Sequence, residues 1–269
     1  MRTSVDRDPR RGVVVKANSR AVLFGLPLDL LTMQQTVERC QGLIEAARPA
    51  QHVVVNAGKV VMMQDVLGLR EIIAGCDLVN ADGQSIVWAG RLLGLPVPER
   101  VAGIDLMERL LALAEERRYR VFFLGATDEV LAGFTAEVLR RFPGIRIAGT
   151  HNGYFTDDEE IAARIAASGA QLLLVGISSP RKEFFLAEQL PRMGSILAMG
   201  VGGSFDVWAG KTRRAPAWMQ RAGLEWLHRL LQEPRRMWKR YAVGNTRFLL
   251  LVAREWVETR RSVRKEGLR

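Results

Sequence analysis

Cysteine and histidine are scarce in this 269-residue chain. Only Cys40 and Cys76 occur, with no CxxC and no Cys/His pair at metal-ligand spacing, which excludes a disulfide scaffold and argues against a zinc site. Both read as buried, reduced thiols of a cytosolic protein. His52, His151 and His228 are scattered, so each reads as an ordinary core or surface side chain rather than a ligand or base. Long apolar runs are also missing. None approaches the roughly 20 residues needed to cross a bilayer, and the run from Phe248 to Ala253 is bracketed by Arg247 and Arg254. The polar start contains Arg2, Arg7, Arg10, Arg11 and Lys16 without an apolar stretch of signal-peptide length, so residues 1–19 read as a mobile cytoplasmic arm. No GxGxxG fingerprint follows the first strand of the alternating pattern described below, which counts against a dinucleotide-dependent dehydrogenase. Repeats and low-complexity stretches are absent as well.

Acidic residues are what the last fifth lacks. Residues 211–269 hold 16 Lys/Arg against 5 Asp/Glu, whereas the rest of the chain is close to neutral. Four of the six tryptophans, Trp218, Trp226, Trp238 and Trp256, lie in that same stretch. A localised block of Arg and Trp points to one anionic partner met at one end: a phosphate-rich ligand, an anionic membrane surface or a nucleic acid. No recognisable DNA- or RNA-binding motif accompanies it, and a neutral body would leave nearly all contacts to one appendage, so no nucleic acid is expected.

What is present is an alternation. Short apolar, often β-branched runs at 51–57, 76–82, 120–126, 145–149, 171–177 and 195–203 are separated by segments of helical period such as 103–116 and 128–141. That pattern predicts an α/β fold, an open and mostly parallel Rossmann-like sheet sandwiched by helices. The body is expected to occupy 20–210. Beyond it, Arg214-Ala215-Pro216 opens a helical segment, Glu233-Pro234 breaks it, and a long helix follows. Trp238, Tyr241, Phe248, Val252 and Trp256 recur at spacings compatible with one face of that helix. Residues 211–269 therefore read as a basic helical appendage, either interfacial or packed on the body.

Ligands of parallel sheets bind beyond the carboxyl ends of strands. Four places qualify: Asn56, Asp82-Gly83, Gly125-Ala126-Thr127, and the stretch from Gly202 to Asp206. Asp82 follows a strand and precedes a glycine, where it could serve as a general base or simply cap a helix over 84–90. Arg100 is a candidate phosphate clamp or a solvated surface charge.

The ordered blocks NADG (80–83), ERVAGIDL (99–106), FFLGA (122–126), NGYF (152–155), SSPRKE (178–183), GVGGSFD (200–206), RRAP (213–216), GLEWLHRL (223–230) and EPRRMWKRY (233–241) are more specific than any one of them. Together they resemble the WecG/TagA/CpsF family of bacterial glycosyltransferases, glycosyltransferase family 26, from about residue 20 to 241. The resemblance implies an inverting, metal-independent enzyme without cofactor, with a UDP-hexose as co-substrate. Its acceptor would be a sugar carried on a polyprenyl diphosphate in surface-polysaccharide synthesis. It implies Asp82 as base, and Asn56, Arg100, Lys182, Tyr154 and Asp206 as substrate-binding residues. It further implies that Arg229, Arg236 and Arg240 lie in an appendage that completes the site at the membrane. The enzyme would then be peripheral on the inner face of the cytoplasmic membrane; self-association into a homo-oligomer stays open. Two positions depart from many relatives: Val54 stands where they have Thr, and Lys182 where they have Gln. A valine cannot donate a hydrogen bond and an ammonium is not an amide, so the donor is open among UDP-glucose, UDP-N-acetylmannosamine and its uronate.

Overall fold

The computed structural model describes residues 20–232 and 234–266; the arm expected over 1–19 lies outside the described residues, as do the side chains of Arg236 and Arg240. The chain begins with a hairpin, β1 (Arg20–Leu23) and β2 (Leu26–Asp29), paired antiparallel. Phe24 and Gly25 both take positive φ, 53° and 73°, as a two-residue turn between right-twisted strands requires. Sequence reading begins the alternation near residue 50 and misses this hairpin. Pro27 within β2 and a bulky Phe in a left-handed turn position both hide it.

The sandwich follows as α1 (Met33–Glu45), β3 (Ala50–Val55), α2 (Ala57–Asp65), α3 (Leu69–Ala74), β4 (Leu78–Ala81), α4 (Gln84–Leu92) and α5 (Gly103–Arg117). Its second half runs β5 (Arg120–Gly125), α6 (Asp128–Arg141), β6 (Arg146–His151), α7 (Asp158–Ser168), β7 (Leu172–Gly176), α8 (Arg181–Gln189), β8 (Leu197–Gly200) and α9 (Ser204–Trp208). Six strands form one parallel sheet in the order β4-β3-β8-β7-β5-β6. They are the six runs expected from the sequence.

Alternate residues of each strand enter opposite faces, which is why the runs are apolar throughout. Val121, Phe123, Leu172, Leu174, Leu197 and Met199 pack with α1, α5, α6 and α9 on one face. Phe122, Leu124, Leu173, Val175 and Ala198 face α7 and α8 on the other. That second face continues under α2, α3, α4 and the hairpin around Val53, Val55, Val79 and Ala81. The hairpin shields the edge strand β4: Asp29 Oδ2 accepts from the Val79 N–H at 2.7 Å, and Arg20 donates to the Asp77 carbonyl at 2.9 Å.

Three helices close the chain: α10 (Ala217–Arg221), α11 (Glu225–Gln232) and α12 (Pro234–Glu266). Pro234 opens α12, where its missing N–H costs no intrahelical bond. The apolar stripe of α12 divides in two. Phe248 and Val252 are buried against the hairpin and α2, with the Phe248 ring edge-on to Phe24 at 5.5 Å. Trp238 is 54% exposed, and Tyr241 packs edge-on against Trp226 at 5.8 Å. Arg247 forks onto Asp65 of α2 at 2.6 and 2.7 Å. Among the described residues no helix is long and apolar enough to cross a membrane.

Candidate active site

All of the polar residues singled out beyond strand ends lie at the carboxyl edge of the sheet. Asn56 caps α2: its Oδ1 accepts from the Lys59 N–H at 3.0 Å, which leaves the amide NH2 as the donor available to a ligand. Asp82 follows β4, its own N–H bonded to the Val55 carbonyl at 2.9 Å, so the backbone still belongs to the sheet. The capping alternative for Asp82 fails. The residue that caps α4 is Gly83, with no side-chain bond at that helix end. Asp82 Oδ1 instead accepts the Gly103 N–H, at the start of α5, at 3.2 Å. Burial pushes the Asp82 carboxyl above the usual carboxylate range. The Gly103 bond and the charges of Arg100 and Lys59 pull it partly back, and Glu225 opposes them. A half-buried carboxylate just beyond a strand end, with a raised affinity for protons, suits proton abstraction. Val54 packs beside it, against Gly103, and makes that wall apolar: a Cβ built on Gly103 would lie 3.6 Å from the valine methyl.

The crevice lies where β5 and β7 run side by side, since the chain leaves β5 toward β6 and leaves β7 toward β8. Gly125 and Gly176 are paired there, and Gly125 takes φ 138°. A Cβ on Gly125 would sit 2.5 Å from the Gly176 carbonyl carbon, so only glycine permits this approach. Thr127 then caps α6. The NGYF loop folds back over this turn through the Gly153 N–H on the Ala126 carbonyl at 2.8 Å. Tyr154 is 78% exposed beyond the edge strand β6. That strand and β4 form the two edges of the sheet, so Tyr154 and Asp82 follow opposite edge strands.

The appendage spans the mouth. Gly223, between α10 and α11, sits on the first turn of α4, where an added Cβ would come within 2.7 Å of Gln84 Cβ. From there α11 carries Arg229 to the loop after β8. A Cβ on Gly203 would lie 3.4 Å from an Arg229 nitrogen and 3.9 Å from Asp206 Oδ2. Arg229 and Asp206 thus both lie beside the Gly202-Gly203 turn. Arg100 is not a free clamp. Its guanidinium contacts Glu225 of α11, and Arg214 forks onto Asp105 at 2.6 and 2.8 Å while reaching Glu225 at 3.6 Å. This four-residue network clasps the appendage to α5 and to the loop before it.

Sequence reading missed Lys59, Glu183, Asp105, Arg214 and Glu225 as individual residues, although the last four sit inside the recognised blocks. Lys59 Nζ bonds Glu183 Oε1 at 2.8 Å, and Lys182 Nζ reaches the same oxygen at 3.0 Å. Burial would raise the Glu183 carboxyl, but the two ammonium groups outweigh it and hold it down at about 2. Burial and the Lys59 charge push Lys182 down to about 8, against the pull of Glu183. His52 is a core residue, its Nε2 3.1 Å from Asn80 Oδ1, and burial pushes it down to about 4. Among the described residues no group of three His, Cys, Asp or Glu could hold a metal ion.

A family model described as the glycosyl transferase WecG/TagA/CpsF family matches residues 21–262. An N-acetylglucosaminyldiphosphoundecaprenol N-acetyl-beta-D-mannosaminyltransferase of Bacillus spizizenii (strain ATCC 23059 / NRRL B-14472 / W23) is 41% identical over 169 residues, covering 63% of this chain and 65% of the relative. A protein of the same name from Bacillus subtilis (strain 168) is 34% identical over 170 residues, covering 63% and 66%. The chain therefore matches just under two thirds of each relative's length. With the match running from the hairpin well into α12, the chain belongs to the glycosyl transferase WecG/TagA/CpsF family.

Proposed function

We propose that the protein is an inverting glycosyltransferase that moves a hexose from a UDP-sugar to a sugar carried on a polyprenyl diphosphate. The observation that carries this reading is Asp82: not engaged in capping α4, raised in proton affinity and set at the mouth beside Asn56 under the appendage. Asp82 takes the proton of the acceptor hydroxyl as that oxygen attacks the anomeric carbon, and the bond from that carbon to the UDP oxygen breaks with its electrons leaving on the diphosphate. Without a metal, that charge must be met by cations and backbone donors, and Arg229 beside the Gly202-Gly203 turn is placed to contribute. The relatives' names specify an N-acetylglucosaminyldiphosphoundecaprenol acceptor and an N-acetylmannosaminyl donor group, which supports the same acceptor class here.

The exposed Trp218, Trp226 and Trp238 and the surplus charge of residues 211–269 support peripheral attachment to the anionic inner face of the cytoplasmic membrane, where such an acceptor resides. The test is a mass shift of a lipid-linked GlcNAc diphosphate incubated with a panel of UDP-hexoses. One donor should add one hexosyl residue, and no addition from any donor refutes the reading.

A further inference from the structure

Three ionisable side chains meet beneath the middle of the sheet's carboxyl edge, and their charges do not balance. Lys59, in the first turn of α2, and Lys182, in the first turn of α8, both direct their ammonium groups at Glu183 Oε1. The lysines are each 6% exposed and the glutamate 1%. A buried charge is costly unless a counter-charge or hydrogen-bond partner meets it, and here two cations share one anion. The donor inventory agrees. An ammonium has three N–H groups. Lys59 uses one on Glu183; Lys182 uses one on Glu183 and one on Ser179 Oγ. Among the described residues, the remaining N–H groups of both lysines have no further acceptor, and Glu183 Oε2 is also buried without a hydrogen-bond partner.

The position of the cluster says what could fill it. Lys182 crosses the end of β8, where a Cβ on Gly200 would lie 2.6 Å from its Cε, so glycine at that strand end is what lets the lysine reach the edge. Lys59 stands three residues beyond Asn56, and its charge reaches Asp82. The cluster therefore lies between Asp82, beyond β4, and the Gly125–Gly176 crevice of β7 and β5. A donor spanning the two must pass over it.

We propose that Lys182 and Lys59 bind one oxyanion of the nucleotide-sugar donor, with Glu183 holding both ammonium groups in position. The proposal rests on the glycosyltransferase reading above. Two parts of a donor carry this chemistry: the diphosphate, whose oxygens gain charge as the sugar departs, and the carboxylate of a hexuronate. Glutamine at position 182 would leave Lys59 and Glu183 as a neutral pair and cancel the surplus.

Calorimetric titration of the full-length protein and its Lys182→Gln variant with UDP, UDP-glucose and UDP-glucuronate tests this, with thermal melting as the check on folding. Loss of affinity by about tenfold or more for all three ligands identifies a phosphate oxyanion. A loss of that size for UDP-glucuronate alone identifies the sugar carboxylate. Affinities within about twofold of the unmutated protein for all three overturn the proposal and leave the glycosyltransferase reading standing. Absence of UDP binding by the unmutated protein overturns both. Independently of any substitution changing the fold, the ¹³Cε signals of Lys59 and Lys182 in lysine-labelled wild-type protein should shift on adding UDP or UDP-glucuronate and not uridine; silence at both lysines refutes the assignment.

Discussion

The Gly103 N–H donates to Asp82 Oδ1 at 3.2 Å and so joins the loop after β4 to the start of α5. The bond fixes the direction of a carboxylate that does not cap α4, and leaves its second oxygen for an incoming hydroxyl. An amide in its place could still accept from Gly103 but could not take up a proton. Asp82→Asn should therefore melt within a few degrees of the unmutated protein while transfer falls by about 10²–10⁴-fold. Near-normal turnover in a lipid-acceptor assay would remove Asp82 from the chemistry.

Transfer should persist in a chelator. The charge of the leaving diphosphate falls to Arg229 and its neighbours, so Arg229→Ala should cost about 10²-fold in kcat without added metal. Activity that vanishes in chelator and returns with magnesium or manganese would contradict this.

Asp105→Ala should loosen the appendage from the body. Arg214 would keep only the 3.6 Å approach to Glu225, and because the fork is partly exposed the global cost should be about 1 kcal/mol. The functional cost should be larger, since α11 carries Arg229. Limited proteolysis should cut faster within 211–232, and an unchanged digestion pattern would show that the clasp is dispensable.

Phe248→Ala should destabilise the whole protein by about 3–5 kcal/mol, because the ring is 4% exposed and packs on Phe24. Cutting the chain after Gly210 removes the same ring and should leave a less stable, inactive body. A denaturant midpoint unchanged by Phe248→Ala would mean that α12 lies on the body without supporting it.

Stability should depend on pH through the buried cluster. Glu183 is lowered from 4.5 to about 2 in the folded protein, so its contribution is whole above pH 4.5 and is lost as pH falls toward 2. Lys182 is lowered from 10.5 to about 8, so between those values the unfolded chain holds the extra proton and stability rises with pH. Urea unfolding of the wild type against Lys182→Gln should show the alkaline rise only in the wild type. Parallel curves would place Lys182 in solvent.

The six sheet strands, the helices between them and the residues just beyond strand ends were legible in the chain, because period and turn chemistry are local. β-branched runs ending in Asn56, Asp82 and the glycines mark the edge where a ligand binds, whatever the order of the strands. The hairpin was not legible, since its turn and its Pro27 depart from ordinary strand chemistry. Nor was the choice between base and cap at Asp82, which turned on a backbone N–H 21 residues away. Lys59 meets Glu183 across 124 residues, and Arg214 meets Asp105 across 109. Such pairs follow from the order β4-β3-β8-β7-β5-β6 and from how α11 crosses it, and burial then fixes their charges. The sequence by itself determined which side chains stand at the edge of the sheet; only the tertiary structure decided which of them share a charge, a proton or a helix.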